Sequence, residues 1–260
     1  MMILLSLLLA GCPSPRLDVD LSPDALRRAR QDATTRVVHL DGAGVDLIAG
    51  RYAELDLIEG SPLGPALEQA IAGGWDVALS AQSPIHHGEL AGAQRGATWR
   101  GATLIDPPEP GSSALWTLDV GAEGPSFYRG DPVADAPGRR FAIGGLEAVA
   151  AAGKDEIAPW LSNEILLRGA EERRSGRTYL AIDRAAGVLA VAVVRQGATG
   201  PKLNELADSL RAAGYDDVAL LQGGAAASLV RRRDDGSVSV ESTGDSAIPS
   251  RFGVAVRWKR

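Results

Sequence analysis

Few side chains in this 260-residue sequence are suited to chemistry. There are three histidines, His39, His86 and His87, and a single cysteine, Cys12. A zinc site draws on about four such ligands, so no zinc site is expected, and the sequence names no cofactor. The lone cysteine has no intramolecular partner with which to build a disulfide framework. His86 and His87 are adjacent and offer a general acid pair, but neighbours on a strand point to opposite faces. In their Gly-rich surroundings they read as loop residues. The backbone is more informative. A small-residue run, Gln222-Gly223-Gly224-Ala225-Ala226-Ala227-Ser228, follows a short apolar stretch. A glycine pair at that place lets backbone approach a ligand closely, or makes a tight crossing in the core. Trp99 and Trp116 could stack on a sugar ring, although packing in the core or at an edge is the commoner use of tryptophan.

The elements that would position these residues are best patterned in the last third. Residues 177–183 and 188–194 read as two strands joined by the turn Arg184-Ala185-Ala186-Gly187. Pro201 then opens a helix with apolar residues at Leu203, Leu206, Ala207, Leu210 and Ala213, one stripe at helical period. Gly214 ends it. A short strand at 218–221 leads into the small-residue run, and 229–232 is the strand after it. Arg231-Arg232-Arg233 followed by Asp234-Asp235-Gly236 reads as a solvated hairpin turn.

Earlier in the chain, Ser22-Pro23-Asp24 starts a helix with an N-cap serine, proline in the first turn and an acid at the positive dipole end. Strands at 36–40 and 45–49 flank Asp41-Gly42-Ala43-Gly44, a hairpin signal. A helix at 63–72 stops at Gly73-Gly74 and a strand follows at 76–79. Residues 86–140 are rich in Gly and Pro, with strand-like pieces at 102–105, 114–120 and 126–129 that read as long irregular insertions. The pattern predicts one α+β domain, with a mixed or antiparallel sheet and packed helices. A net charge of -6 and the absence of a basic stripe exclude a nucleic-acid surface.

The first residues, MMILLSLLLAGC, form an apolar run too short to span a bilayer, which needs about 20 residues. They fit a secretory signal ending in small residues where a peptidase can cut. Leu9-Ala10-Gly11-Cys12 resembles the lipobox of bacterial lipoproteins, whose cysteine becomes the diacylated mature N-terminus. That resemblance implies a signal at 1–11, a tether at 12–21 and a folded domain at 22–260. It also implies an envelope protein held to a membrane, such as the outer membrane, through lipid on Cys12. The sequence departs from the pattern in having no Lys or Arg before the apolar run.

The last third also resembles the phosphodiester glycosidase family. Its order of Arg-Thr strand, second strand, helix with Glu-Leu-Ala, and apolar strand ending in Asp-Gly-Gly-Gly-Ser is met here in part. The counterparts are Arg177-Thr178, the strand to Val194, Glu205-Leu206-Ala207 and Gln222-Gly223-Gly224-Ala225. Looser matches are Ala78-Leu79-Ser80-Ala81, Gly92 and Gly144-Gly145-Leu146. The resemblance implies hydrolysis between an anomeric carbon and a phosphodiester, with an envelope glycan or sugar phosphodiester as partner. By position Arg177 would hold phosphate, with Gly223 and Gly224 as the floor of the site, and Ser80 and Gln222 would stand at the reactive positions. The departures fall on those positions. Gln222 replaces an aspartate and cannot ionise, Ser80 replaces an asparagine, and Ala225 replaces a glycine. Two readings stay open: a hydrolase in which another carboxylate such as Asp183 or Glu164 has taken over, and an inactive domain that binds glycan or a protein, or only builds structure.

Overall fold

The computed structural model describes residues 20–42, 44–81, 96–107, 116–134, 136–146, 148–150, 176–195, 201, 203–223, 227–242 and 251–260. Helix α1 (Pro23–Asp32) begins as its sequence dictates, with the Ser22 hydroxyl accepting a hydrogen bond from the Ala25 amide at 3.3 Å. The hairpin β1 (Val38–Gly42) and β2 (Val45–Glu59) follows, paired from Val38 with Ala49 to Gly42 with Val45. Strand β2 runs ten residues past the expected end at Ala49. Its first half pairs with β11 (Val188–Val194) and its second half with β15 (Phe252–Trp258), so one strand serves two regions of a sheet.

Helix α2 (Leu63–Ala72) and β3 (Val77–Ser80) come next. Where the composition suggested irregular insertions, the chain instead builds a separate five-stranded sheet. Its members are β4 (Thr98–Arg100), β5 (Thr103–Asp106), β6 (Trp116–Gly121), β7 (Gly124–Arg129) and β8 (Phe141–Leu146), in the order β5-β4-β8-β6-β7. The remaining elements are β9 (Ala148–Ala150), β10 (Arg177–Asp183), α3 (Leu203–Ala212), β12 (Asp217–Gly223), β13 (Ser228–Arg232) and β14 (Val238–Ser242). The large sheet runs β14-β13-β3-β15-β2-β11-β10-β12-β9, with β1 also on β2, and every described pairing is antiparallel. The molecule is thus a single α+β domain.

Strict alternation divides the large sheet between two cores. Val188, Ala190, Ala192 and Val194 of β11 join Tyr179 and Ala181 of β10 under Leu26 of α1 and Leu206 and Leu210 of α3. Leu189, Val191 and Val193 face the other way, with Leu180 and Ile182, toward Leu118, Val120, Phe141 and Ile143 of the smaller sheet. Burial on both faces explains why β10 and β11 read as near-continuous apolar runs. Leu206 and Leu210 are each about 1% exposed, and burying each contributes about 1.5–3 kcal/mol. A third, smaller core lies under α2, from Leu63, Leu67 and Ile71 onto Ala78, Val230 and Ala255. Strand β13 also lies against β10 and β11, which brings the ends of distant strands together.

Candidate functional site

One end of the large sheet gathers three of the positions selected from the sequence. Arg177 opens β10, Gly223 closes β12, and the two are paired across the ladder. The Arg177 side chain is 5% exposed and its Nη1 donates to the Leu221 carbonyl at 3.1 Å. Its guanidinium lies directly over the Gly223 backbone, where a Cβ would stand 2.5 Å from Cζ and 2.7 Å from both terminal nitrogens. An added methyl there would overlap the cation unless the guanidinium moved. The register also shifts between Arg177 and Tyr179, a bulge that re-aims the first residue of the strand.

Ser80 closes β3 and is fully buried at the same place. Its Oγ accepts a hydrogen bond from the Ser228 amide at 2.9 Å, and its carbonyl accepts one from Thr178 Oγ1 at 2.7 Å. Thr178 therefore ties β10 to β3, and Ser80 ties β3 to the start of β13. Together with the contact of Arg177 with β12, these bonds bracket both ends of the small-residue run. The side chain of Gln222 and all of Gly224 and Ala225 lie outside the described residues, as do Cys12, His86, His87, Gly92 and Glu164. The side chain of Leu203 does too.

Asp183 lies away from this end. It sits at the far end of β10, six residues from Arg177 or about 20 Å along the strand. There it pairs with Arg30 of α1 and accepts from the Ala186 amide at 3.0 Å. Trp116 is 7% exposed and packs in the core between the sheets, so it presents no face to a ligand. Burial pushes the phenol of Tyr179, beside Arg177 on β10, well above its ordinary range, and the nearby guanidinium offsets only part of that.

The sequence reading missed a second polar group at this end. Asp46 of β2 is 0% exposed, and its Oδ1 meets His39 Nε2 at 2.8 Å. Its Oδ2 lies 3.5 Å from Arg231 Nε and 3.9 Å from Arg195 Nη2 and takes no hydrogen bond. Arg195 is held by Asp41 at 3.1 Å and Glu241 at 3.0 Å. Arg231 is thus no part of a solvated turn; only residues 233–236 make the turn, closed by Arg233 and Gly236 amide bonds. The available signal was an acid inside an apolar run, Val45-Asp46-Leu47-Ile48, at a position whose neighbour two residues on is core.

Two clefts lie elsewhere. One of about 350 Å³ is lined by Tyr52, Glu54, Glu123, Arg140, Gly187 and Lys259 among others, and one of about 140 Å³ by Arg36, Arg51, Lys259 and Arg260 with Thr34 and Thr35. Neither contains Arg177 or Ser80. Among the described residues no His, Cys, Asp or Glu group is arranged to hold a metal, and no helix is long and apolar enough to cross a membrane.

No family model matches the sequence, and no curated protein sequence matches it either. Solved structures do resemble it. A hypothetical protein from Synechocystis has a TM-score of 0.48 at 14% identity, over 85% of this chain and 61% of that one. The zebrafish N-acetylglucosamine-1-phosphodiester alpha-N-acetylglucosaminidase catalytic domain, auto-inhibited by its pro-peptide, has a TM-score of 0.58 at 16% identity, over 86% of this chain and 82% of that one. The chain therefore has a phosphodiester-glycosidase-like fold.

Proposed function

We propose that this chain is an envelope lipoprotein whose folded domain takes the sugar-1-phosphodiester group of an envelope glycan at the Arg177–Gly223–Ser80 end of the large sheet. The observation that carries the reading is the seating of the Arg177 guanidinium on the Gly223 backbone beside Ser80, within a fold shared with an enzyme that acts on such a bond. An arginine fork suits phosphate because it offers parallel N–H donors and a permanent charge. A glycine turn adds backbone amides. Gln222 marks the site as rearranged, because an amide cannot accept a proton as a carboxylate does. That residue also favours a second reading, a domain that binds such glycans without cleaving them.

Calorimetry with an N-acetylglucosamine 1-phosphodiester tests the proposal. The wild-type protein is expected to bind, and Arg177→Ala to weaken binding about tenfold to hundredfold, the worth of a charge-assisted bidentate contact. Arg177→Lys keeps the charge and loses the fork, and should fall between. Absence of binding across a panel of envelope glycans, or equal binding by Arg177→Ala, refutes the site. Lipid attachment is tested separately. The mature chain is expected to begin at a diacylated Cys12 and to sediment with membranes, and Cys12→Ala to stay unprocessed there. Mass spectrometry showing an unmodified Cys12 within an intact N-terminus refutes the anchor.

A further inference from the structure

We infer that the cleft walled by Thr34, Thr35, Arg36, Arg51, Lys259 and Arg260 binds a phosphate group, at a place separate from the Arg177 end. The inference stands apart from the sugar-phosphodiester reading. Strand register gives the separation. Arg51 of β2 pairs with Val188 of β11, whereas Val194, at the other end of that strand, pairs with Arg177. Six residues of strand put about 20 Å between the two places.

Three stretches of chain meet to make the cleft. Residues 33–36 leave α1 and turn toward β1. Strand β15 ends in a register shift between Arg257 and Trp258, after which the Lys259 amide donates to the Arg51 carbonyl at 2.8 Å. Gly50 lets the stretches close up, since a Cβ there would stand 3.2 Å from Trp258 Cε3 and 3.4 Å from Val37 Cγ2. Cations far apart in sequence thereby line one cleft of about 140 Å³.

Charge is the second argument. The whole chain carries -6, yet this lining has four cations and no acid. Asp32 holds Arg36 at 2.7 Å and Asp76 lies 3.7 Å from Arg260, both from outside the lining. Among the described residues, Arg51 and Lys259 have no ion pair. Elsewhere the fold gives its arginines acids: Arg30 meets Asp183, Arg139 meets Asp119 and Arg184 meets Asp217. An anion is what this grouping lacks.

Hydrogen-bonding capacity narrows the choice of anion. The Thr34 and Thr35 hydroxyls donate to the Gln31 and Asp32 carbonyls at 2.7 and 3.0 Å, and the amides of residues 34–36 are spent on the same two carbonyls. Guanidinium and ammonium groups are left, which donate and do not accept. A neutral sugar needs acceptors as well as donors and gains little from such a set. A phosphate group brings several acceptor oxygens and negative charge, and arginine forks hold it in a bidentate way. A phospholipid headgroup and free phosphate share that chemistry.

Calorimetry with inorganic phosphate on the full chain tests the site. Binding is expected to persist in Arg177→Ala and to weaken about tenfold or more in the double variant Arg51→Gln, Lys259→Gln. Both side chains are exposed, so the double variant should fold, which circular dichroism checks. Arg100→Gln, a surface cation of the smaller sheet, should change phosphate binding by less than about twofold. Flotation of the Cys12→Ala full chain, which cannot carry lipid on that residue, separates the two sources. Flotation with phosphatidylglycerol vesicles but not with neutral phosphatidylcholine vesicles, weakened about fivefold for each cation removed, assigns a headgroup. Phosphate binding without such flotation assigns free phosphate. Phosphate binding that survives the double variant, that is lost in Arg177→Ala, or that acetate at the same ionic strength displaces equally well overturns the site. Absence of binding to both phosphate and anionic vesicles overturns it too.

Discussion

Gly223→Ala is the sharpest single perturbation of the bracketed turn. The new methyl would stand 2.5 Å from Arg177 Cζ and 2.7 Å from Nη1 and Nη2, well inside contact distance. The guanidinium cannot simply swing away, because it is 5% exposed and bonded to the Leu221 carbonyl. Moving it gives up a charge-assisted hydrogen bond worth about 1.5–3 kcal/mol. Keeping it forces backbone displacement, and overpacking of that kind costs about 1–3 kcal/mol. Whichever route is cheaper, the loss should be about 1–3 kcal/mol, or roughly 2–12 °C in Tm for a domain of this size. Arg177→Ala removes the obstacle, so Gly223→Ala should cost almost nothing in that background. A double-mutant cycle by urea denaturation should therefore return a coupling of about 2 kcal/mol between the positions. If Gly223→Ala costs less than about 0.5 kcal/mol, or costs the same with and without Arg177, the packing argument fails.

Two other expectations follow from the buried titratable groups. Burial raises the phenols of Tyr179 and Tyr215 above their ordinary value of 10, so the folded state holds protons that the unfolded chain releases first. Stability from these groups is complete below about pH 10 and should fall above it by about 1.4 kcal/mol per pH unit for each tyrosine. The alkaline fall of stability from urea denaturation should be shallower by about 1.4 kcal/mol per pH unit in Tyr179→Phe, and an unchanged slope refutes the assignment. Asp183→Asn should destabilise by about 3–5 kcal/mol, because it leaves the part-buried Arg30 without its partner. It should leave sugar-phosphodiester binding within about twofold, and a larger loss of binding would return Asp183 to the site.

How much of this was legible in the sequence depended on whether neighbours or distant strands decide the outcome. The helix of Pro23–Asp32, the hairpin at Asp41-Gly42, both buried strands 177–183 and 188–194, and the Leu206–Leu210 face are set by local capping, turn residues and periodicity. Three strands of the five-stranded sheet were legible as pieces at 102–105, 114–120 and 126–129, but not their pairing into one sheet, because Gly and Pro separate them and distant partners define the rest. Phe141–Leu146, with Gly144 and Gly145 inside it, carries no strand pattern and is nevertheless fully buried. Strand β2 was cut short at Ala49 for a related reason. Gly50 and Arg51 read as a terminus, yet the strand continues because its second half finds β15, some 200 residues later in the chain. The proximity of Arg177, Ser80 and Gly223 was suggested only through resemblance. His39 with Asp46 was invisible, since their meeting needs the hairpin's register.

At both ends of the β10–β11 hairpin, buried acids are paired with arginines from other elements. At the turn end, Asp183 pairs with Arg30 and accepts from an amide, and Asp217 pairs with Arg184, whose own amide is taken by Asp216. Even the cleft near Gly187 has its Glu54 divided between Arg140 at 2.6 Å and Arg257 at 2.9 Å. Each of these acids is bound to a base that an adjoining helix, turn or strand supplies, which is how charge closes off a fold. At the opposite end the fully buried Asp46 likewise stands within ion-pair distance of two arginines, Arg231 at 3.5 Å and Arg195 at 3.9 Å, with a part-exposed histidine on its other oxygen. Serine and threonine hydroxyls there bond main-chain groups of other strands. What sets this end apart is the glycine that yields its space to an arginine, beside serine and threonine hydroxyls that tie β10, β3 and β13 together.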